Sequence, residues 1–364
     1  MWVSWPPVKV MLANPRGFCA GVYMAIDVVD QLLDVTDEPI YVYHEIVHNQ
    51  HVVQRFKDRG VTFIERISDA PEGAVVVYSA HGVSPQVRSE SAGRNLIDID
   101  ATCPLVTKVH AEAIRYADRG WQILLVGHRE HQEVIGTHGE APDAIQIVES
   151  PDDIAHLRID DPDKLIYLTQ TTLSTDDADQ IISALKVAFP SLKAPPTEDI
   201  CYATTNRQRA VRLLADQCDL VLVVGSPNSS NSVRLTEIAK TAGTRAVLLD
   251  DVTELSPTLL DGVDTVLVTA GASAPEDLVQ QLVLALVHNF GGVVEQHDVF
   301  HESVEFGLPG SLKKFMRSRN VNPTGRRISM DNIASTNAFL QHHGIPHPVI
   351  DMTVSAGNGG STPC

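Results

Sequence analysis

Three cysteines each stand at the start of an amphipathic stretch. Cys19 lies in NPRGFCAGV, directly before AGVYMAIDVVDQLL, and Cys201 precedes YATTNRQRAVRLLADQ. Cys103 is followed by Pro104, the residue favoured at a first helical position. The spacing predicts three thiols at or near helix N-termini, where unpaired N–H groups and the positive dipole end favour the thiolate. Three thiolates suit a zinc site that takes a fourth ligand, or an iron–sulfur cluster with one iron left open. Unrelated buried cysteines are the plainer reading of the spacing alone. No CxxC pair is present, whereas structural zinc sites usually pair ligands a few residues apart. Cys218 closes a helical pattern before an apolar run and reads as a core thiol.

A second set of side chains follows apolar runs. YVYHEIVHN ends in His48 and Asn49, VVVYSAHGV carries His81, and ILLVGHREHQE carries His131 and Glu133. LIYLTQTT carries Thr171 and Thr172, LVLVVGSPNSSNS carries Ser229, Ser230, Asn231 and Ser232, and VLVTAGAS carries Ser273. Ligands of open α/β sheets bind beyond the carboxyl ends of the strands. Hydroxyls, amides, imidazoles and helix-start N–H groups make a cradle for phosphate oxygens. GSPNSSNS is not a Walker loop, since it lacks the GK[ST] ending. Glu133, placed in a poorly hydrated pocket, would hold a proton near neutral pH. His44, His51, His110, His128 and His138 have no comparable support and read as structural.

The elements that must position these groups alternate. Ten short Val/Ile/Leu-rich runs, from Val8–Ala13 to Thr265–Thr269, lie between helical patterns such as Ala20–Leu33, Thr107–Asp118 and Arg207–Gln217. Continuous apolar runs of this kind predict parallel strands covered on both faces, hence βαβ units and an α/β fold. One sheet of ten strands is unusual. The three cysteines are 84 and 98 residues apart, each interval holding one small α/β unit. Three α/β domains are therefore expected: 21–103, 104–200, and 1–20 with 201–317. The polar stretches from Ser318 onward predict a mobile tail over 318–364, with Cys364 an unconstrained thiol.

The net charge is -18 over 364 residues, with 28 Lys and Arg against 46 Asp and Glu. That balance argues against a nucleic-acid partner and leaves room for a small anion held by local donors. An odd, scattered set of five cysteines is a poor disulfide framework and predicts a reducing, cytoplasmic setting. No secretory leader and no membrane-spanning run is seen.

Taken in order, NPRGFCAGV, EIVHN, SAHGV, DATCP, HxEVxGT, QTTLS, GSxNSSNSxRL and EFGLPGSLKKFMR resemble the LytB-type 4-hydroxy-3-methylbut-2-enyl diphosphate reductases. These enzymes close the methylerythritol phosphate route to isoprenoids. The resemblance runs from about Val8 to Arg317. It implies three α/β domains with pseudo-threefold symmetry around a 4Fe-4S cluster. It implies Cys19, Cys103 and Cys201 as cluster ligands. It implies that His48, His81, His131, Ser229, Ser230, Asn231 and Ser273 hold the diphosphate. Thr171 would touch the substrate hydroxyl and Glu133 would supply protons through it. The implied reaction removes an allylic hydroxyl as water, giving isopentenyl and dimethylallyl diphosphates, with ferredoxin or flavodoxin as electron donor. A donor of that acidic kind would need a local basic patch, and Arg207, Arg209 and Arg212 are the candidates. A three-cysteine cluster enzyme of the quinolinate synthase type, and a cluster-bearing redox sensor without turnover, are the alternatives. The chain departs from the family at Gln132, where members read HPEV. A proline there would stiffen the loop that places Glu133.

Overall fold

The structure, a computed structural model, describes residues 7–323 and 327–352. The apolar runs form parallel sheets, as their covered-on-both-faces pattern requires. In β1 (Lys9–Asn14) every residue after the first is buried. β2 (Ile40–Tyr43), β3 (Thr62–Ile64), β4 (Val75–Tyr78) and β5 (Ile97–Asp100) form one sheet in the order β3-β2-β4-β5. β6 (Gln122–Val126), β7 (Ile145–Val148) and β8 (Leu165–Thr169) form a second, ordered β7-β6-β8. β9 (Leu220–Val224), β10 (Arg245–Leu249), β11 (Thr265–Ala270) and β12 (Val293–Asp298) join β1 in a third. Two short strands, β13 (Ser303–Gly307) and β14 (Arg327–Asp331), pair separately. β15 (Val349–Asp351) completes the third sheet, in the order β10-β9-β11-β1-β12-β15. The fold class is the expected α/β.

By their internal contacts the residues form two compact units. One runs from Met1–Phe18 through Asn206–Val304 to Met330–Cys364 and holds the six-stranded sheet. The other comprises Cys19–Thr205 and Glu305–Ser329 and holds the two smaller sheets.

Each sheet has one point where consecutive connections leave in opposite directions. In the first small sheet the chain goes from β2 out to β3 and from β4 out to β5, so the switch lies between β2 and β4. In the second it lies between β6 and β8, and in the six-stranded sheet between β9 and β11. The loops beyond such a pair of strands diverge and leave a crevice at the carboxyl edge.

The predicted tail is corrected over residues 318–323 and 327–352. Residues 332–342 form a helix and Val349–Asp351 pairs with β12, with Gln296 opposite Val349. Phe339, Leu340 and Ile345 are buried in the same cluster as Val10, Leu222, Val268 and Leu282. The apolar residues of this segment are too few for a core of their own, but they complete a core built by distant strands. Cys364 lies outside the described residues.

Candidate active site

Two loops flank every switch point, and they carry the predicted residues. Between β2 and β4, the loop after β2 carries His48 and the loop after β4 carries His81. Between β6 and β8, His131 and Glu133 follow β6 and Thr171 follows β8. Between β9 and β11, Ser229 to Asn231 follow β9 and Ser273 follows β11.

Within the unit holding the two smaller sheets, backbone bonds stitch these loops together. Ala80 N–H donates to the Ile46 carbonyl, Cys103 N–H to the Ala80 carbonyl, and Cys201 N–H to the Thr171 carbonyl, each at 3.0–3.1 Å. The His48 and His81 rings stack, with centroids 4.0 Å apart and planes 20° from parallel. His131 meets both edge-on, at 5.4 and 5.9 Å. His131 caps α5 (Gln132–Glu140): its Nδ1 accepts the Glu133 N–H at 3.2 Å, which leaves Nε2 as the protonated nitrogen. Burial, then repulsion from the other imidazoles, holds His81 well below the usual histidine range and His131 at about 3. His81 and His131 are therefore neutral at pH 7, and an anion placed beside them would draw protons onto them.

Glu133, two residues beyond His131, is buried, and its Oε1 and Oε2 accept the Thr171 N–H at 2.6 Å and the Thr171 hydroxyl at 3.0 Å. Burial pushes its carboxyl up to about 7 against those two bonds. The group thus changes protonation near neutral pH, as a proton carrier must. Gln132 occupies the first position of α5, where a proline would add stiffness. Thr171 holds both carboxylate oxygens of Glu133.

The three predicted thiols open helices. Cys19 caps α1 (Ala20–Val35), Cys103 caps α4 (Pro104–Ala117), and Cys201 precedes α7 (Tyr202–Leu214). The Thr204 N–H donates to the Cys201 Sγ at 3.4 Å. A Cβ placed on Gly21 would lie 2.5 Å from the Cys103 Sγ and 3.9 Å from the Cys19 Sγ, so only glycine leaves both sulfurs their space. Cys103 feels the charge of Cys19 and Cys201, and Cys201 that of Cys19 and Glu133. The lowered thiol pKa expected at helix starts is not seen. Burial first, and neighbouring thiols next, push Cys103 above its ordinary range and Cys201 up to about 11. Helix-start N–H groups do not offset the enclosure, so three thiolates here require a cationic partner. Among the described residues no three His, Cys, Asp or Glu side chains stand close enough to hold a single metal ion. Three thiolates on one zinc would need sulfurs roughly 3.8 Å apart at a bond length of about 2.3 Å. A polynuclear cluster spaces its thiolates more widely, each on its own metal, and this donor set fits that case. Cys218 belongs to the other unit, packed against the cluster that holds Val221 and Leu267, with its Sγ on the Ala215 carbonyl at 3.2 Å.

In the other unit, Ser229 caps α8 (Ser230–Thr241) and its oxygen accepts the hydroxyls of Ser232 and Ser273 at 3.1 and 3.0 Å. A Cβ on Gly225 or Gly271 would come 2.3 or 1.9 Å from the Ser232 Oγ, so these strand-end glycines make room for that hydroxyl. The Asn231 amide is buried with neither its nitrogen nor its oxygen hydrogen-bonded among the described residues. An unpaired buried amide at a helix start free of acidic residues is set for an anion. The turn leading to Cys19 leaves this same sheet edge, from β1 beside β11. It is held by two buried arginines. Arg16 bonds the Ala13 carbonyl, Asn14, Glu276 and Thr336. Arg207 pairs with Glu302 and donates to the Gly17 carbonyl at 2.9 Å. Arg207 is wholly buried, which removes it from the predicted basic docking patch. No local pattern signals this clamp, because an arginine on an amphipathic stretch reads as exposed.

Fold and side chains together define the class: a multi-sheet α/β enzyme with imidazoles and a buried carboxyl in its switch-point loops and thiols at three helix starts. A family model described as LytB protein matches residues 10–287, and the chain belongs to the LytB family. It is 52% identical over 309 residues to a 4-hydroxy-3-methylbut-2-enyl diphosphate reductase of Rhodopirellula baltica, covering 85% of this chain and 97% of that one. It is 51% identical over 311 residues to the enzyme of that name from Streptomyces avermitilis, covering 85% and 92%. The solved E-1-hydroxy-2-methyl-but-2-enyl-4-diphosphate reductase from Plasmodium falciparum superposes with a TM-score of 0.84 at 41% identity, over 86% of this chain and all of that one. No helix among the described residues is long and apolar enough to cross a membrane.

Proposed function

We propose that this chain catalyses the reductive dehydroxylation of (E)-4-hydroxy-3-methylbut-2-enyl diphosphate to isopentenyl and dimethylallyl diphosphates, the last step of the non-mevalonate isoprenoid route. The observation that carries the reading is the assembly, in one compact unit, of three thiols, three imidazoles and a buried carboxyl with a pKa of about 7.

Cys19, Cys103 and Cys201 would hold a 4Fe-4S cluster with one iron left without a protein ligand, in keeping with the iron–sulfur dependence of LytB proteins. When bound, that cluster supplies single electrons, which side chains cannot, and a Lewis acid for the departing oxygen. The remaining work falls to the chain. His48, His81 and His131, with Ser229, Ser230, Asn231 and Ser273, hold the diphosphate and so aim the allylic end. The Thr171 hydroxyl touches the substrate hydroxyl. Glu133 holds a proton at Oε2 and passes it through Thr171, so that the hydroxyl leaves as water. Two electrons and two protons are taken up, and protonation at either of two carbons gives the two products. Ferredoxin or flavodoxin would supply the electrons, in a reducing cytoplasm that keeps the described cysteines as free thiols.

The test is an anaerobic preparation counted for iron and sulfide, examined by Mössbauer spectroscopy, and given reduced methyl viologen with the hydroxylated diphosphate. Four irons per chain and dye oxidation dependent on that substrate are expected. A four-iron protein that leaves the dye reduced would falsify the reductase reading.

A further inference from the structure

His110, outside every group assigned above, ties together segments that carry the site. It lies seven residues beyond Cys103 on α4, two turns along the same helical face. Its ring is buried. Nδ1 stands 2.9 Å from Glu140 Oε1, at the carboxyl end of α5. The opposite ring edge packs on two glycines. A Cβ on Gly82 would lie 3.0 Å from His110 Cε1 and 3.2 Å from Nε2, and one on Gly136 would lie 3.4 Å from each. Gly82 directly follows His81 and has φ +80°, and Gly136 lies one turn beyond Glu133 on α5. His110 is thus wedged between the segment that delivers His81 and the helix that delivers His131 and Glu133.

Its Nε2 is buried with no hydrogen-bond partner among the described residues. An apolar ring would fill that space without leaving a polar atom unpaired, so space-filling alone does not account for an imidazole here. The bond to Glu140 does, because it fixes the rotation of the ring and therefore where its far edge stands.

We propose that His110 is a positioning residue: anchored on Glu140, its ring edge sets the spacing between the His81 segment and the His131–Glu133 helix, and with it the fit of the imidazole trio to a diphosphate. The inference rests on the assignment of that trio to diphosphate binding. Two substitutions separate positioning from stability. H110N keeps an amide able to reach Glu140 but has no ring edge. G136A introduces a better helix former and places a Cβ 3.4 Å from that edge, at the close limit of van der Waals contact. Calorimetry with inorganic diphosphate on the full chain should show the dissociation constant raised about tenfold in H110N and about threefold in G136A, in keeping with a small misplacement of binding groups. In turnover assays KM should rise in parallel while kcat changes less. The unfolding midpoint of G136A should equal or exceed that of the unsubstituted protein, an outcome that lost stability could not produce alongside weaker binding. Should H110N fail to fold, G136A decides alone. Variants that bind diphosphate within twofold of the unsubstituted protein overturn this inference and leave the reductase reading standing. An unsubstituted protein that neither binds diphosphate nor turns over the substrate overturns both.

Discussion

The two units equip the same topological feature with different chemistry. At the switch points of the two smaller sheets stand groups whose pKa values burial shifts: the His81 and His131 imidazoles and the Glu133 carboxyl. At the switch point of the six-stranded sheet stand groups that do not titrate: the Ser229–Ser232–Ser273 hydroxyl cluster and the Asn231 amide at the start of α8. The first set changes charge with its surroundings, whereas the second offers fixed dipoles whose spacing depends on glycines that admit a hydroxyl. The topology opens the crevice, and the loop sequence decides whether its lining responds to pH.

The largest effect should come from the thiols. Cys103→Ser is expected to abolish four-iron loading, with Cys19→Ser and Cys201→Ser alike, while Cys218→Ser keeps the full iron count by chemical analysis. Next, Glu133→Gln should lower turnover by about 10²–10⁴-fold with the iron count unchanged, the range for removal of a general acid. The unsubstituted protein should lose rate as pH rises through about 7, because only the protonated carboxyl donates. A pH–rate profile on both proteins checks this, and a Glu133→Gln variant with the same fall would refute the assignment.

The contrast between the units is sharpened by a paired measurement. Asn231→Ala should weaken inorganic diphosphate binding about tenfold, by a similar factor at pH 6 and pH 8, since an amide does not titrate. His131→Asn should cost more at pH 6 than at pH 8. The free imidazole sits at about 3 and a bound anion raises it, so proton uptake on binding grows as pH falls. Equal losses at the two pH values for His131→Asn would erase the distinction drawn here. A purely structural loss is expected from Leu340→Ala in the carboxyl-terminal helix, about 2–5 kcal/mol by urea unfolding, because that side chain is fully buried in the six-stranded unit's core. Smallest of all, Gln132→Pro should stabilise by about 0.4–1 kcal/mol, since the first helical position needs no N–H donor. Its turnover should stay unchanged.

Ten of the strands were legible as apolar runs, and the three helix-opening cysteines as punctuation before amphipathic stretches. β3 was not, because three residues are too few to establish a period. β12 was not, because its last three residues are Gln296, His297 and Asp298, polar groups that read as a loop. They are buried nonetheless, and Asp298 accepts from Asn14 at 2.6 Å. The ordered segment after Ser318 escaped for a related reason: Leu340 and Ile345 become core residues only beside strands contributed by distant parts of the chain.

By itself the sequence determined the parallel α/β class, the helix starts at Cys19, Cys103 and Cys201, and the polar groups that follow strands. These are local matters of period, capping and turn chemistry, settled by residues a few positions apart. Only the tertiary structure decided which loops flank a shared switch point. It also decided the raised thiol and Glu133 pKa values and the burial of Arg207. The wedging of His110 between Gly82 and Gly136 was decided there too. Desolvation and close packing depend on atoms brought together from remote positions, and no local pattern encodes them.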